Sequence, residues 1–120
     1  MSRARSDTIR AIFAAYRAND RDAVEPVLTD DFRFTSPYDD ALDKATYFER
    51  CWDTGWIERQ DIEKIFVEGC EAFVTYRCMA KGGKSFRNTE FFRFEGDRVK
   101  SIEVYFGAAR QNGVFVRQPK

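Results

Sequence analysis

The chain has 120 residues, and its 20 acidic and 20 basic side chains give a formal net charge of zero. This balance argues against nucleic acid or an anionic membrane as the main partner. The apolar runs are only a few residues long, and the first ten residues lack the apolar stretch of a signal peptide, so neither a membrane span nor a leader is expected. The length suits one domain over 1–120.

The sequence contains no histidine, which excludes an imidazole base, a Ser-His-Asp or Cys-His pair and a histidine metal site. Acid–base chemistry would therefore use Asp, Glu, Tyr, Lys or Cys. Cys51, Cys70 and Cys78 have neither metal-binding spacing nor a disulfide pattern, which predicts reduced thiols in the cytoplasm. Because a phosphate-binding glycine loop is also missing, we expect no metal and no cofactor.

The first half of the chain has helical periodicity interrupted by one strand. Helices are predicted over 8–18, 22–28 and 44–54, because apolar residues recur there at helical spacing. A strand over 32–36 lies between the second and third helices, and Pro37 ends it because proline has no N–H for strand pairing.

The second half is typical of strands, with long aromatic and β-branched stretches. Strands are predicted over 61–69, 71–81, 84–95 and 98–107, with a tight hairpin at Gly82-Gly83. The last ten residues are compatible with a short strand or a tail. Three N-terminal helices followed by this meander predict an α+β fold, with helices packed on one face of a curved sheet. Such a sheet would enclose a cone with an apolar pocket at its mouth.

Three stretches resemble the NTF2-like superfamily, which includes SnoaL-like polyketide cyclases and ketosteroid isomerases. They are DAVEPVLTDDFRFTSP at 22–37, NTEFFRFEGDRV at 88–99 and IEVYFG at 102–107. The resemblance covers roughly 8–106. It implies an NTF2-like cone in which three N-terminal helices pack in a strongly curved, mostly antiparallel sheet.

The resemblance extends to individual positions. Ketosteroid isomerases have their aspartate base just before the pocket proline, and this position is Ser36 in the present chain. The resemblance therefore implies a protein without that base. The buried carboxylic acid that those enzymes use as a hydrogen-bond donor corresponds to Glu90, and their helix tyrosine corresponds to Tyr16. Glu90 and Tyr16 are thus the catalytic candidates.

Strand pairing and the resemblance together predict a pocket wall. A two-residue turn at Gly82-Gly83 would place Thr75 opposite Glu90 and Arg77 opposite Asn88, and opposed residues share a face. Two readings of Glu90 stay open: an ionised partner of Arg77, or a carboxylic acid kept protonated by burial. The predicted ligand-pocket residues are Ser36, Tyr38, Phe48, Trp52, Thr75, Arg77, Asn88, Phe92, Ile102, Val104 and Phe106.

The sequence predicts a protein that binds a small apolar or amphipathic organic molecule. The protein either only binds this molecule or also catalyses an isomerase- or cyclase-like reaction on it. Asp39 and Asp40 are interpreted as solvated loop acids and Glu103 as an outer-face residue, with ligand contact as the alternative for all three.

The alternative function is a non-catalytic binding or dimerisation module. The outer sheet face is predicted to carry Val74, Tyr76, Phe91 and Tyr105, a partly apolar patch suited to a homodimer. Neither nucleic acid nor a membrane is expected as a partner.

Overall fold

The computed structural model describes residues 4–117. The helices in this part are α1 (Arg5–Arg17), α2 (Arg21–Val24) and α3 (Lys44–Cys51), and a 3-10 turn covers Glu25–Val27. The strands are β1 (Leu28–Ser36), β2 (Asp39–Asp43), β3 (Ile57–Glu68), β4 (Glu71–Ala80), β5 (Lys84–Glu95), β6 (Arg98–Gln111) and β7 (Val114–Val116).

The strands form one curved, unclosed mixed sheet with the order β2-β1-β6-β5-β4-β3, and β7 also pairs with β6. Only the β1–β6 pair is parallel among the described strands. Irregular pairing on β3 and between β5 and β6 interrupts the ladders, and such bulges increase the twist and bend of a sheet. The predicted α+β fold, with three helices against a mostly antiparallel curved sheet, is confirmed.

The core lies between the helices and the concave face of the sheet. Helix α1 buries Ile9, Ile12 and Phe13, which recur at helical spacing and form its apolar face. Fully buried Phe32 and Phe92 of the sheet belong to the same core. Helix α1 meets the sheet where the Phe13 and Tyr76 rings lie with their centroids 4.8 Å apart. No helix within residues 4–117 has both the length and the apolar character needed to cross a membrane.

Several element boundaries differ from the predictions. The second helix stops at Val24 because the chain tightens into the 3-10 turn at Pro26, and β1 already begins at Leu28. Strand β2 was not predicted, since its polar sequence lacks strand alternation. The stretch that was compatible with a strand or a tail contains the short strand β7, while residues 118–120 lie outside the described part.

The predicted register of β4 against β5 was wrong by one residue. Their connection has three residues, 81–83, and both glycines in it adopt positive φ angles. Thr75 therefore lies opposite Thr89, and Glu90 lies opposite Val74. A one-residue slip moves every side chain of a strand to the other face. Val74 and Tyr76 thus belong to the core instead of the outer patch.

Candidate functional site

A cavity of about 500 Å³ lies between the helices and the concave face of the sheet. Its walls come from α1, α3 and strands of the sheet, and most of its surface is aromatic or aliphatic. It is lined by Ile12, Phe13, Tyr16, Phe34, Ser36, Tyr38, Asp39, Tyr47, Arg50, Cys51, Asp53, Trp56, Gln60, Tyr76, Ala80, Lys84, Phe86, Asn88, Glu90, Ile102, Val104 and Phe106.

A chain of three polar side chains crosses the sheet wall of this cavity. Tyr76 on β4 donates a hydrogen bond of 2.7 Å from its hydroxyl to Oε2 of Glu90 on β5. Asn88 donates from Nδ2 to the same tyrosine oxygen at 3.3 Å. The three side chains share the concave face because Tyr76 pairs with Asn88 and Glu90 follows two residues later. The Asn88 Oδ1 atom is buried and accepts no hydrogen bond from residues 4–117.

Glu90 is a carboxyl group held below the surface of the protein. Burial raises its pKa from 4.5 to about 7, and the hydrogen bond from Tyr76 opposes this shift. The exposed part of the residue faces the cavity. At neutral pH such a group is present in both protonation states, so it can donate or accept a proton.

Two more tyrosines line the cavity with Glu90. Burial raises the pKa of both Tyr16 and Tyr47, and the negative charge of Glu90 adds to the shift. The Tyr16 hydroxyl donates to the carbonyl oxygen of Cys51 at 3.1 Å, which fixes its position against the end of α3. The neutral Tyr16 hydroxyl is therefore better suited to positioning a ligand than to acting as a base.

The rim of the cavity contains a second polar cluster. Ser36 donates from Oγ to Oδ2 of Asp39 at 3.2 Å and accepts a hydrogen bond from the backbone N–H of Tyr38. The Arg50 guanidinium lies 3.2 Å from Oδ1 of Asp39. The interpretation of Asp39 as a solvated loop acid is wrong, because its side chain is only 10% exposed. Asp40 is exposed, as a solvated acid would be, but it lies in strand β2 and not in a loop.

The cavity also brings together predicted pocket residues from β5 and β6. Ile102, Val104 and Phe106 line it from alternate positions of β6, and Asn88 lines it from β5. Tyr38 reaches over the rim, with its ring centroid 5.7 Å from that of Phe106. These positions describe a cavity wall, and which of them contact a ligand stays a prediction.

Five other predicted pocket residues lie elsewhere. Phe48 and Phe92 are buried in the core, and Trp52 packs against Phe48, so none of the three lines the cavity. Thr75 and Arg77 point to the convex face, because the predicted register of β4 against β5 was wrong by one residue. Thr75 instead shares a 2.8 Å hydrogen bond with a threonine of β5.

The reading in which Glu90 is the ionised partner of Arg77 is therefore wrong as well. Arg77 is exposed on the convex face, and among residues 4–117 no cation forms an ion pair with Glu90. Glu103 lies on the convex face as well, where it accepts a 2.9 Å hydrogen bond from Tyr105. Of the two readings of Glu90, burial of a carboxyl group without a cation is the one that agrees with the geometry.

Sequence reasoning missed several cavity residues. Lys84 and Phe86 lie on the same face of β5 as Asn88 and Glu90, since all four occupy every second position, so the period of this strand was a signal that could have identified them. Gln60 had no such signal, because its place depends on how β3 packs. In the described residues 4–117, no three His, Cys, Asp or Glu side chains are grouped so as to hold a metal ion.

A curved sheet that folds around helices and encloses one cavity is the architecture of the NTF2-like superfamily. The sequence model of the SnoaL-like domain matches residues 9–102, and the chain belongs to this family. A comparison with curated proteins gives no match.

Solved structures share this architecture at low sequence identity. An NTF2-like protein of unknown function from Cytophaga hutchinsonii is 20% identical, with a TM-score of 0.73 over 88% of this chain and 92% of its own. A protein from Jannaschia sp. CCS1, provisionally described as a SnoaL-like polyketide cyclase, is 16% identical, with a TM-score of 0.69 over 88% of this chain and 90% of its own. At these identities the likeness shows the fold alone.

Proposed function

We propose that this SnoaL-like domain binds a small apolar or amphipathic organic molecule and that Glu90 exchanges a proton with it, in an isomerase- or cyclase-like step. The observation that carries the proposal is a carboxyl group with a pKa of about 7, hydrogen-bonded to Tyr76 inside a cavity of about 500 Å³. Sites for small molecules commonly combine apolar walls with a few such polar groups.

The chemistry follows from the two protonation states of Glu90. In the ionised state, its carboxylate accepts a proton from a carbon next to a carbonyl group, leaving an enolate. In the protonated state, it returns that proton to the same or another carbon of the ligand, which completes an isomerisation. This reaction needs no cofactor. The description of a protein of similar fold as a polyketide cyclase is compatible with it.

Binding is tested with 2-naphthol, an apolar ring compound whose hydroxyl can donate to a carboxylate. At pH 8 we expect Glu90→Gln to weaken 2-naphthol binding about tenfold, the effect of losing about 1.4 kcal/mol. Glu95→Gln is the matched control, because Glu95 is on the same strand but exposed. Absence of 2-naphthol binding, or equal affinity for wild type and Glu90→Gln, would count against Glu90 as a ligand contact.

Proton transfer is tested separately with 2-tetralone in D₂O, since exchange of its protons next to the carbonyl is visible by NMR. We expect the protein to accelerate this exchange and Glu90→Gln to abolish the acceleration. If 2-naphthol binds but exchange is not accelerated, the domain is a binding module without this acid–base activity.

The proposal includes a homodimer formed through the convex face of the sheet. Phe66 and Phe73 are 71% and 49% exposed there, and Phe66, Phe73 and Phe91 are paired across β3, β4 and β5. Burial of such a row against a second copy would remove apolar surface from water. This surface also supports the second candidate function, a non-catalytic dimerisation module. A cytoplasmic location is part of the proposal, because the three cysteines form no disulfide within residues 4–117.

A further inference from the structure

Strand β5 presents an ordered row of different chemical groups to the cavity. Lys84, Phe86, Asn88 and Glu90 occupy alternate positions, and all four line the cavity. At a rise of about 3.3 Å per residue, the Cα atoms of Lys84 and Glu90 lie about 20 Å apart along the strand. Lys84 is the shallow end of the row, beside the β4–β5 hairpin, and Glu90 is the deep end.

Lys84 is a cation without a counterion in the described part of the chain. No carboxylate of residues 4–117 forms an ion pair with its ammonium group, and partial burial lowers its pKa. Arg50, the other cation on the cavity wall, is paired with Asp39. Asp53 also lines the cavity, but it is exposed and does not pair with Lys84. An anionic group of a ligand would compensate the lost hydration of Lys84.

The groups beside Lys84 suit a flat ring. The Trp56 and Phe86 rings lie 5.9 Å apart with an interplanar angle of 30°, and both line the cavity. Further along the row, the buried Oδ1 of Asn88 has no donor within residues 4–117. A ligand hydroxyl or N–H at that depth would supply one, since buried acceptors normally have a hydrogen-bond partner.

We infer that the ligand is a carboxylic acid with an aromatic or unsaturated ring, whose carboxylate is bound by Lys84 while its other end reaches Asn88 and Glu90. This inference rests on the proposed function, because it assigns the ligand of the same cavity. It adds a substrate class and a residue that selects for it. The carboxylate forms a charge-assisted hydrogen bond with the ammonium group, and the ring lies against the aromatic side chains between the two ends.

The experiment compares 6-hydroxy-2-naphthoate with 2-naphthol, which has the same ring and hydroxyl but no carboxylate. Dissociation constants are measured for wild type, Lys84→Gln and Lys81→Gln, the last being an exposed lysine of the same hairpin. We expect wild type to bind the acid about tenfold more tightly than 2-naphthol, and Lys84→Gln to abolish this preference. Lys81→Gln should retain it. Added salt should weaken binding of the acid but not binding of 2-naphthol, which has no carboxylate.

The outcomes separate the inference from the proposed function. If 2-naphthol binds in a Glu90-dependent manner but the acid binds no more tightly, the inference is wrong and the proposed function stands. If neither compound binds, both fail. An equal loss of affinity for both compounds in Lys84→Gln would also overturn the inference, because it indicates a changed cavity instead of a lost charge contact. The melting temperature of Lys84→Gln checks that the variant is folded.

Discussion

The Tyr76 hydroxyl donates a 2.7 Å hydrogen bond to Oε2 of Glu90 inside the cavity. The tyrosine oxygen in turn accepts from Asn88, so both hydrogen-bonding capacities of the hydroxyl are used. The bond stabilises the carboxylate, whereas burial favours the protonated acid, and burial has the larger effect. The site therefore holds a weakly acidic carboxyl group with its orientation fixed.

We expect Glu90→Gln to stabilise the protein at pH 8 and to have a much smaller effect at pH 5. The pKa of Glu90 rises from 4.5 to about 7 on folding, so the folded protein retains a proton that the unfolded chain releases between these values. The free energy of unfolding of wild type must therefore fall as the pH rises through this window. Glutamine keeps the shape without titrating. The increase in the free energy of unfolding of Glu90→Gln over wild type should be about 2 to 3 kcal/mol larger at pH 8 than at pH 5. Urea denaturation at the two pH values measures it.

Glu95→Gln is the control for this pH dependence, because Glu95 is exposed on the same strand. Its free energy of unfolding should follow that of wild type at both pH values. If Glu90→Gln is less stable than wild type by the same amount at pH 8 and at pH 5, Glu90 makes a favourable contact as an anion, and burial does not raise its pKa.

Tyr76→Phe should raise the pKa of Glu90 further, since it removes the hydrogen bond that stabilises the carboxylate. It should also destabilise the fold by about 1 to 2 kcal/mol, because Asn88 loses its buried acceptor. The pKa is measured by NMR titration of labelled glutamate side chains. Tyr105→Phe is the matched control: it removes a hydroxyl that donates to Glu103 on the exposed face. Equal pKa values of Glu90 in the two variants would contradict the assigned hydrogen bond.

Much of the fold could be predicted because single strands carry their own pattern. Along β5, Asn88, Glu90 and Phe92 alternate with Arg87 and Arg93, and the two sets occupy opposite faces as predicted. Local alternation is a property of one strand and needs no knowledge of its neighbours.

Which face of β4 is buried could not be predicted in the same way, because both of its faces carry apolar residues. Val74 and Tyr76 alternate with Phe73 and Thr75, and apolar residues occur in both sets. The choice depended on the length of the hairpin loop, which has three residues instead of two. The additional loop residue shifts the register by one and places Arg77 on the convex face, outside the predicted pocket.

The environment of Asp39 depended on contacts between distant segments. Ser36 and Asp39 face each other because Pro37 and Tyr38 form a turn between β1 and the unpredicted β2. Arg50 reaches the carboxylate from α3. Polar residues after a strand usually indicate a solvated loop. Nothing in the local sequence distinguishes the turn at Pro37 and Tyr38 from such a loop.

The convex face predicts a homodimer in solution. Phe73 and Phe91 have ring centroids 4.8 Å apart there, and Phe66 continues the row on β3. We expect light scattering at tens of micromolar to give a dimer for wild type and a monomer for Phe73→Ser, because the substitution removes apolar area from the centre of the row. Phe115→Ser, which replaces an exposed phenylalanine of β7, should remain dimeric. A monomeric wild type contradicts the dimer.

Wild type should not isomerise a 3-oxo-Δ5 steroid, because Ser36 occupies the position that the family resemblance assigns to the base. The resemblance assigns Glu90 to the carboxylic acid that donates a hydrogen bond to the steroid, so Glu90 does not replace that base for this substrate. Its hydroxyl is hydrogen-bonded to Asp39 and Tyr38, and no histidine is present to activate it. Ser36→Asp would place a carboxylate at this position, and we expect slow formation of the conjugated enone, measured by its ultraviolet absorbance. Ser36→Asn is the control, since it has a similar shape but cannot accept the proton. Isomerisation by wild type at the rate of Ser36→Asp would show that another group, such as Asp39 or Glu90, serves as the base.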